Sequence, residues 1–187
     1  MITGLVLAAG GSRRLGRPKQ LLPYGDTTLL GHVVATARAC AFDQLVVAIG
    51  GAADEVRAAV DLRGAQVVVN ETYGDGCSSS IAAALAVVEG DVLVLMLGDQ
   101  PGVTAETVGA LLAGRGDAAL AVCRYADGRG HPIAFAQDVF GELANLHGDK
   151  GVWKLLDRGP VTEVPIAGRI PLDVDTEADY AAVLSAR

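Results

Sequence analysis

The chain has 187 residues, 51% of them hydrophobic, and a formal charge of -7 at neutral pH. That is enough for one substantial core but too short for two comfortable domains, so a single domain over residues 1–187 is expected. An acidic chain without a broad basic field argues against a nucleic-acid or membrane-surface binder, and no apolar run reaches the ~20 residues that span a bilayer.

The first predicted element is a strand, Leu5 to Ala9, which runs into Gly10-Gly11-Ser12-Arg13-Arg14-Leu15-Gly16-Arg17-Pro18-Lys19. Glycines without Cβ allow positive φ and close approach to a ligand, so that successive N–H groups converge on an anion. Arg13, Arg14, Arg17 and Lys19 supply the neutralising charge that a polyphosphate needs. A surface turn with solvated arginines is the alternative. Gly11 and Gly16 have the spacing of a P-loop, but Arg17-Pro18 stands where Lys-Ser/Thr would hold phosphate and magnesium. Gly10, Gly11 and Gly16 also miss the dinucleotide-binding spacing.

Further along, Thr27 or Thr28 caps a helix reaching about Ala41, with Leu29, Leu30, Val33, Val34 and Ala37 on one face and His32 beside it. A strand over 44–49, a helix over 53–60 and a strand over 65–69 follow. This alternation predicts an α/β fold with a parallel sheet covered on both faces. The loop from Asn70 to Ser80 then lies at the carboxyl end of a strand, where open α/β sheets bind ligands, and its small polar residues can approach a flat nucleobase. Ser78 or Ser79 can equally cap the helix predicted over 81–88. Cys77 has no activating histidine nearby in sequence and reads as a packed thiol.

The strand over 91–97 is continuously apolar and therefore central, and it ends in Gly98-Asp99-Gln100-Pro101. A carboxylate on such a rigid edge suits metal binding, with Mg2+ completing its octahedron from phosphates and water. A helix over 104–112 leads to a hairpin, 118–123 and 131–135, around the Asp127-Gly128 turn. His131 contacts substrate or holds that turn. A helix over 139–146 and a polar turn, Gly148-Asp149-Lys150-Gly151, precede a helix that includes Val152, Trp153, Leu155 and Leu156. A short strand from Ile170 then meets a last helix, where Thr176 and Asp179 form a cap. Alternation along that strand places Asp173 and Asp175 on one face.

Leu7-Ala8-Ala9-Gly10-Gly11-Ser12-Arg13-Arg14-Leu15-Gly16, followed by Pro18-Lys19, resembles the signature loop of nucleotidyltransferases with a GT-A-like fold. Within them the chain most resembles the molybdenum-cofactor cytidylyl- and guanylyltransferase-like proteins (MocA/MobA-like). The resemblance implies a Rossmann-like three-layer sandwich with a mostly parallel sheet. It implies catalytic roles for Arg14, Lys19 and Asp99, and a nucleotide site from Leu7, Ala8, Ala9, Gly10, Gly11 and Ser12 with Asn70, Gly74, Ser79 and Ser80. Mg2+ would be held by Asp99 with Asp173 or Asp175, and the acceptor by His131, Asp149 and Lys150. Gly-Asp-Gln-Pro resembles the branch that uses CTP rather than GTP. A molybdopterin-type acceptor follows from the resemblance, with a molybdoenzyme as a further partner. Another small phosphorylated metabolite, a non-catalytic accessory role and a flavin-dependent oxidoreductase on the same fold are the alternatives. The odd number of cysteines, Cys40, Cys77 and Cys123, and the absence of a basic leader fit reduced thiols in a cytoplasmic protein.

Overall fold

The computed structural model describes residues 1–186. In chain order the elements are β1 (Ile2–Ala8), β2 (Pro23–Tyr24), β3 (Thr27–Thr28), α1 (Leu29–Ala39), β4 (Gln44–Ile49), α2 (Ala53–Ala59), β5 (Gln66–Val69) and α3 (Cys77–Leu85). They continue with β6 (Val92–Leu97), α4 (Ala105–Arg115), β7 (Leu120–Tyr125), β8 (Gly128–Ala136), α5 (Phe140–Ala144), α6 (Gly151–Leu156), β9 (Thr162–Pro165) and α7 (Glu177–Ser185).

The main sheet has the order β5-β4-β1-β6-β8-β7-β9. β8 runs antiparallel to both of its neighbours, and the other pairs are parallel. The central strands read as continuous apolar runs because successive side chains enter opposite layers, both of them dry. Leu5, Val46, Leu93 and Leu95 pack with α3, α5 and α6 through Ile81, Leu143 and Leu155. Val6, Val47, Val94 and Met96 pack with α1, α2 and α4 through Val34, Val56 and Leu111. The result is the expected three-layer sandwich. A third, small cluster of Leu15, Leu22, Tyr24, Leu29, Val174 and Val183 ties the exit of the first loop to the C-terminal segment.

Several predicted bounds shift. α3 begins at Cys77 rather than Ile81, because Gly76 takes φ +99° and turns the chain directly into the helix. No strand forms at 170–175. Pro171 has no N–H to give a ladder, and the segment is held by single bonds instead: Ile170 N–H to Asp127 Oδ1 at 2.8 Å and Val174 N–H to the Asp99 carbonyl at 3.0 Å. The last strand of the sheet is instead β9, earlier in the chain, four residues that include Pro165 at the sheet edge, too short to stand out in the sequence. The helix expected over 139–146 is shortened to α5 behind a 3-10 turn, Gln137–Val139. Thr28 and Thr176 cap α1 and α7 as expected, the latter in a full capping box with Asp179. No described helix is long and apolar enough to cross a membrane.

Candidate active site

β1 delivers the first loop to the carboxyl edge of the sheet. The positive φ expected of Gly10 or Gly11 falls instead on Ser12, at +50°. A non-glycine residue held there must be fixed by its surroundings. Ser12 Oγ accepts the Lys19 N–H at 2.9 Å, and the Ser12 carbonyl accepts the N–H groups of Leu15 and Gly16, each at 3.1 Å. Gln20, 3% exposed, donates from Nε2 to the carbonyls of Ala8 at 2.7 Å and Gly10 at 2.9 Å, clamping the loop from behind. Its role went unread in the sequence, where only its place next to Lys19 marks it.

Gly10 is exposed, has no left-handed backbone, and a methyl group built on it would find Lys19 Cε at 3.9 Å as its nearest protein neighbour. Neither conformation nor packing requires glycine at that position. It lies on a cavity of about 410 Å3, which Leu7, Ala8, Ala9, Gly11, Ser12, Arg13, Arg14 and Lys19 also line. Tyr73, Gly74, Gly76, Cys77 and Ser80 also line it, with Asp149 beside Cys77, and so do Leu97, Gly98, Asp99 and Asp175.

The predicted cations and carboxylates meet. Lys19 Nζ bridges Asp99 Oδ2 and Asp175 Oδ1, the latter at 2.9 Å, and Arg14 Nη2 reaches Asp175 Oδ2 at 2.7 Å. Burial works to lower Lys19, but the charges and hydrogen bonds of Asp99 and Asp175 outweigh it and hold the ammonium above its ordinary range. Partial burial likewise opposes ionisation of Asp175, and the hydrogen bond and charge of Lys19, then those of Arg14, hold its carboxyl below the usual range. Asp173 goes the other way. Loss of solvent around its carboxyl group and the like charges of Asp99 and Asp175 push it up to about 6. Arg17 is taken up elsewhere, forked onto Glu177 at the start of α7 through bonds of 2.8 to 3.1 Å.

The base-side residues divide. Ser80 and Gly74 line the cavity. Asn70 and Ser79 do not; Asn70, 4% exposed, braces the loop, donating from Nδ2 to Ser79 Oγ and Ser80 Oγ at 2.8 Å each and accepting the Thr72 N–H at 3.0 Å. Tyr73, absent from the sequence reading, packs on Gly51 so closely that a methyl there would lie 2.9 Å from its ring, and it joins the loop to the β4–α2 turn. Asp149 reaches the cavity while its Oδ1 accepts the Cys77 N–H at 3.0 Å, filling one of the unsatisfied donors at the start of α3. Burial and the charge of Asp149 raise the Cys77 thiol, consistent with a packed rather than nucleophilic cysteine. Two acceptor-side candidates lie outside the cavity lining. Lys150 is exposed, and His131 is buried with its ring edge-on to Trp153 at 5.5 Å, its pKa pushed down to about 4 by that burial. Asp173 also stands just beyond the lining.

A three-layer sandwich with a clamped glycine and arginine loop after β1 and an aspartate after β6 defines a nucleotidyltransferase-type domain. The chain belongs to the MobA-like NTP transferase domain family, whose model matches residues 4–164. Nicotine blue oxidoreductase of Paenarthrobacter nicotinovorans is 33% identical over 170 residues, covering 85% of this chain and 83% of that one. The bifunctional protein GlmU of Azotobacter vinelandii is 37% identical over 123 residues, and the match spans 26% of its length. Among solved structures, Rv0371c from Mycobacterium tuberculosis H37Rv superposes with a TM-score of 0.94 at 54% identity, covering 98% of this chain and 97% of that one. A manganese complex of Rv0371c superposes with a TM-score of 0.90 at 51% identity, covering 100% and 99%.

Proposed function

We propose that the chain transfers a nucleoside monophosphate from an NTP, CTP in preference to GTP, to a small phosphorylated acceptor of the molybdopterin type, with release of pyrophosphate. The shape at Gly10 carries this reading. A residue that the protein itself has no need to keep as glycine opens onto a cavity lined with Arg13, Arg14 and Lys19, which is what close approach of a polyphosphate to backbone N–H groups requires. The N–H groups of Ala9 to Ser12 hold the β- and γ-phosphates. An acceptor phosphate oxygen attacks the α-phosphorus, the bond to the bridging oxygen breaks, and the electron pair leaves with pyrophosphate. An acceptor that is already ionised needs no dedicated base. Catalysis is then positioning and charge neutralisation.

The donor set fits a hard divalent cation. Asp99 and Asp175 offer carboxylate oxygens paired with Lys19 and Arg14, and Asp173, raised by burial and then by the like charges of Asp99 and Asp175, offers a third. Among the described residues no three such ligands are grouped, so a cation here would take one or two carboxylates, Asp99 with Asp175 or Asp173, and complete its shell from phosphate and water. Bound there, Mg2+ would neutralise phosphate charge. Lys19 and Arg14 then exchange carboxylate partners for phosphate oxygens. The manganese complex of Rv0371c supports a divalent metal. The preference for CTP rests on the likeness of Gly98-Asp99-Gln100-Pro101 to the cytidylyltransferase branch.

The likeness to nicotine blue oxidoreductase favours a second reading, a reductase on this fold. Pyrophosphate release from CTP, GTP, ATP and UTP with Mg2+, with and without molybdopterin, separates the two. Release confined to CTP plus molybdopterin is the expected result. No release from any nucleotide, together with a bound yellow chromophore in the purified protein, would favour the reductase.

A further inference from the structure

Gln100 follows Asp99 in the turn after β6 and is 2% exposed, yet it does not line the cavity. Its Nε2 donates to the Pro171 carbonyl at 2.7 Å and to Asp173 Oδ1 at 2.8 Å. Its Oε1 is buried without a hydrogen-bond partner, one of two such side-chain atoms among the described residues. Turning the amide over would set its oxygen against two acceptors, so the orientation is fixed. A residue needed only to fill this space would be apolar, because an unpaired buried amide oxygen is destabilising. The two donated bonds are therefore what distinguishes glutamine here.

Asp173 lies on a segment without secondary structure and faces the like charges of Asp99 and Asp175. An unheld carboxylate among like charges swings toward solvent. Lys19 and Arg14 hold Asp99 and Asp175 by ion pairing, which offsets their charge. A neutral amide holds Asp173 and leaves its charge available. We propose that Gln100 is a positioning residue that sets the Asp173 carboxylate for the divalent cation, and that residue 100 acts on the metal side of the reaction rather than reading the nucleobase. This rests on the metal-dependent reading above.

The test is Mn2+ binding to the full chain, followed by the paramagnetic resonance of free Mn2+, with and without CTP. Gln100→Met is expected to weaken Mn2+ binding by about tenfold, the loss typical of removing an outer partner of a metal ligand. Asp173→Asn should lose as much, the double variant no more than either single one, and the ratio of CTP to GTP turnover should stay at its wild-type value. Gln100→Asn, one methylene shorter, should show the same loss if the methionine variant does not fold. Wild-type Mn2+ affinity in a folded Gln100 variant, or an altered CTP to GTP ratio at unchanged Mn2+ affinity, would overturn the proposal and leave the metal-dependent reading standing. If the wild-type chain binds CTP but no Mn2+, both fall.

Discussion

The first loop and the C-terminal strap from Ile170 to Asp175 meet at one site but are built by different means. The loop is local: Ser12, Lys19 and Gln20 lie within nine residues of one another and hold its turn by short-range hydrogen bonds. The strap is assembled from a distance, pinned by Asp127, Asp99 and Gln100 and seated through Val174 in a cluster with Leu15 and Leu22. The loop brings cations and the strap brings carboxylates. Each neutralises the other, and in the proposed reaction phosphate and metal would take over those charges, so substitutions in one region should report on the other.

Lys19→Met gives the largest test of that coupling. Turnover should fall by at least ~100-fold as the phosphate clamp is lost, while Mn2+ binding without nucleotide should tighten by roughly tenfold, because the cation no longer competes with an ammonium between Asp99 and Asp175. Titration followed by Mn2+ resonance reads the second effect. Weaker Mn2+ binding would mean that Lys19 organises the carboxylates instead of competing for them.

His131 supplies a stability probe outside both regions. Its folded pKa, about 4, lies below the 6.5 of the unfolded chain, so the unfolded state binds the extra proton first. Stability is full above about pH 6.5 and declines as pH falls toward 4, by up to about 3 kcal/mol. Denaturant midpoints of wild type and His131→Gln over that window should converge as the pH falls. Parallel profiles would contradict the buried neutral imidazole.

Thr176→Ala acts just beyond the strap, at the cap of α7. Loss of the capping box that begins α7 should lower stability by about 1 kcal/mol, or about 2–4 °C in the melting temperature. CTP binding without metal should not change. A matching loss of CTP affinity would show that the strap shapes the nucleotide cavity itself.

The same contrast governs what could be read from the sequence. The sheet, its central strands and the loop of small and cationic residues were legible because apolar runs, glycines and caps act over a few neighbours. The carboxylate cluster was legible only as residue types, since nothing local shows that Gln100 ties Pro171 and Asp173 together or that Lys19 sits between Asp99 and Asp175. β9 was hidden by its length and its proline, and Asn70, placed in the nucleotide site by resemblance alone, braces the loop from outside the cavity lining. The Gly50-Gly51 pair was a visible signal for Tyr73, but which ring fills the space depends on the fold.

The central claim, that the cavity is shaped for a polyphosphate, turns on Gly10. Calorimetric titration of CTP with Mg2+ into wild type and Gly10→Ala tests it directly, since beyond the adjoining residues the added methyl meets no protein atom nearer than 3.9 Å. Equal melting temperatures are expected, with CTP affinity weakened by roughly tenfold or more as backbone approach to the phosphates is blocked. Equal CTP affinity in the two proteins would contradict it.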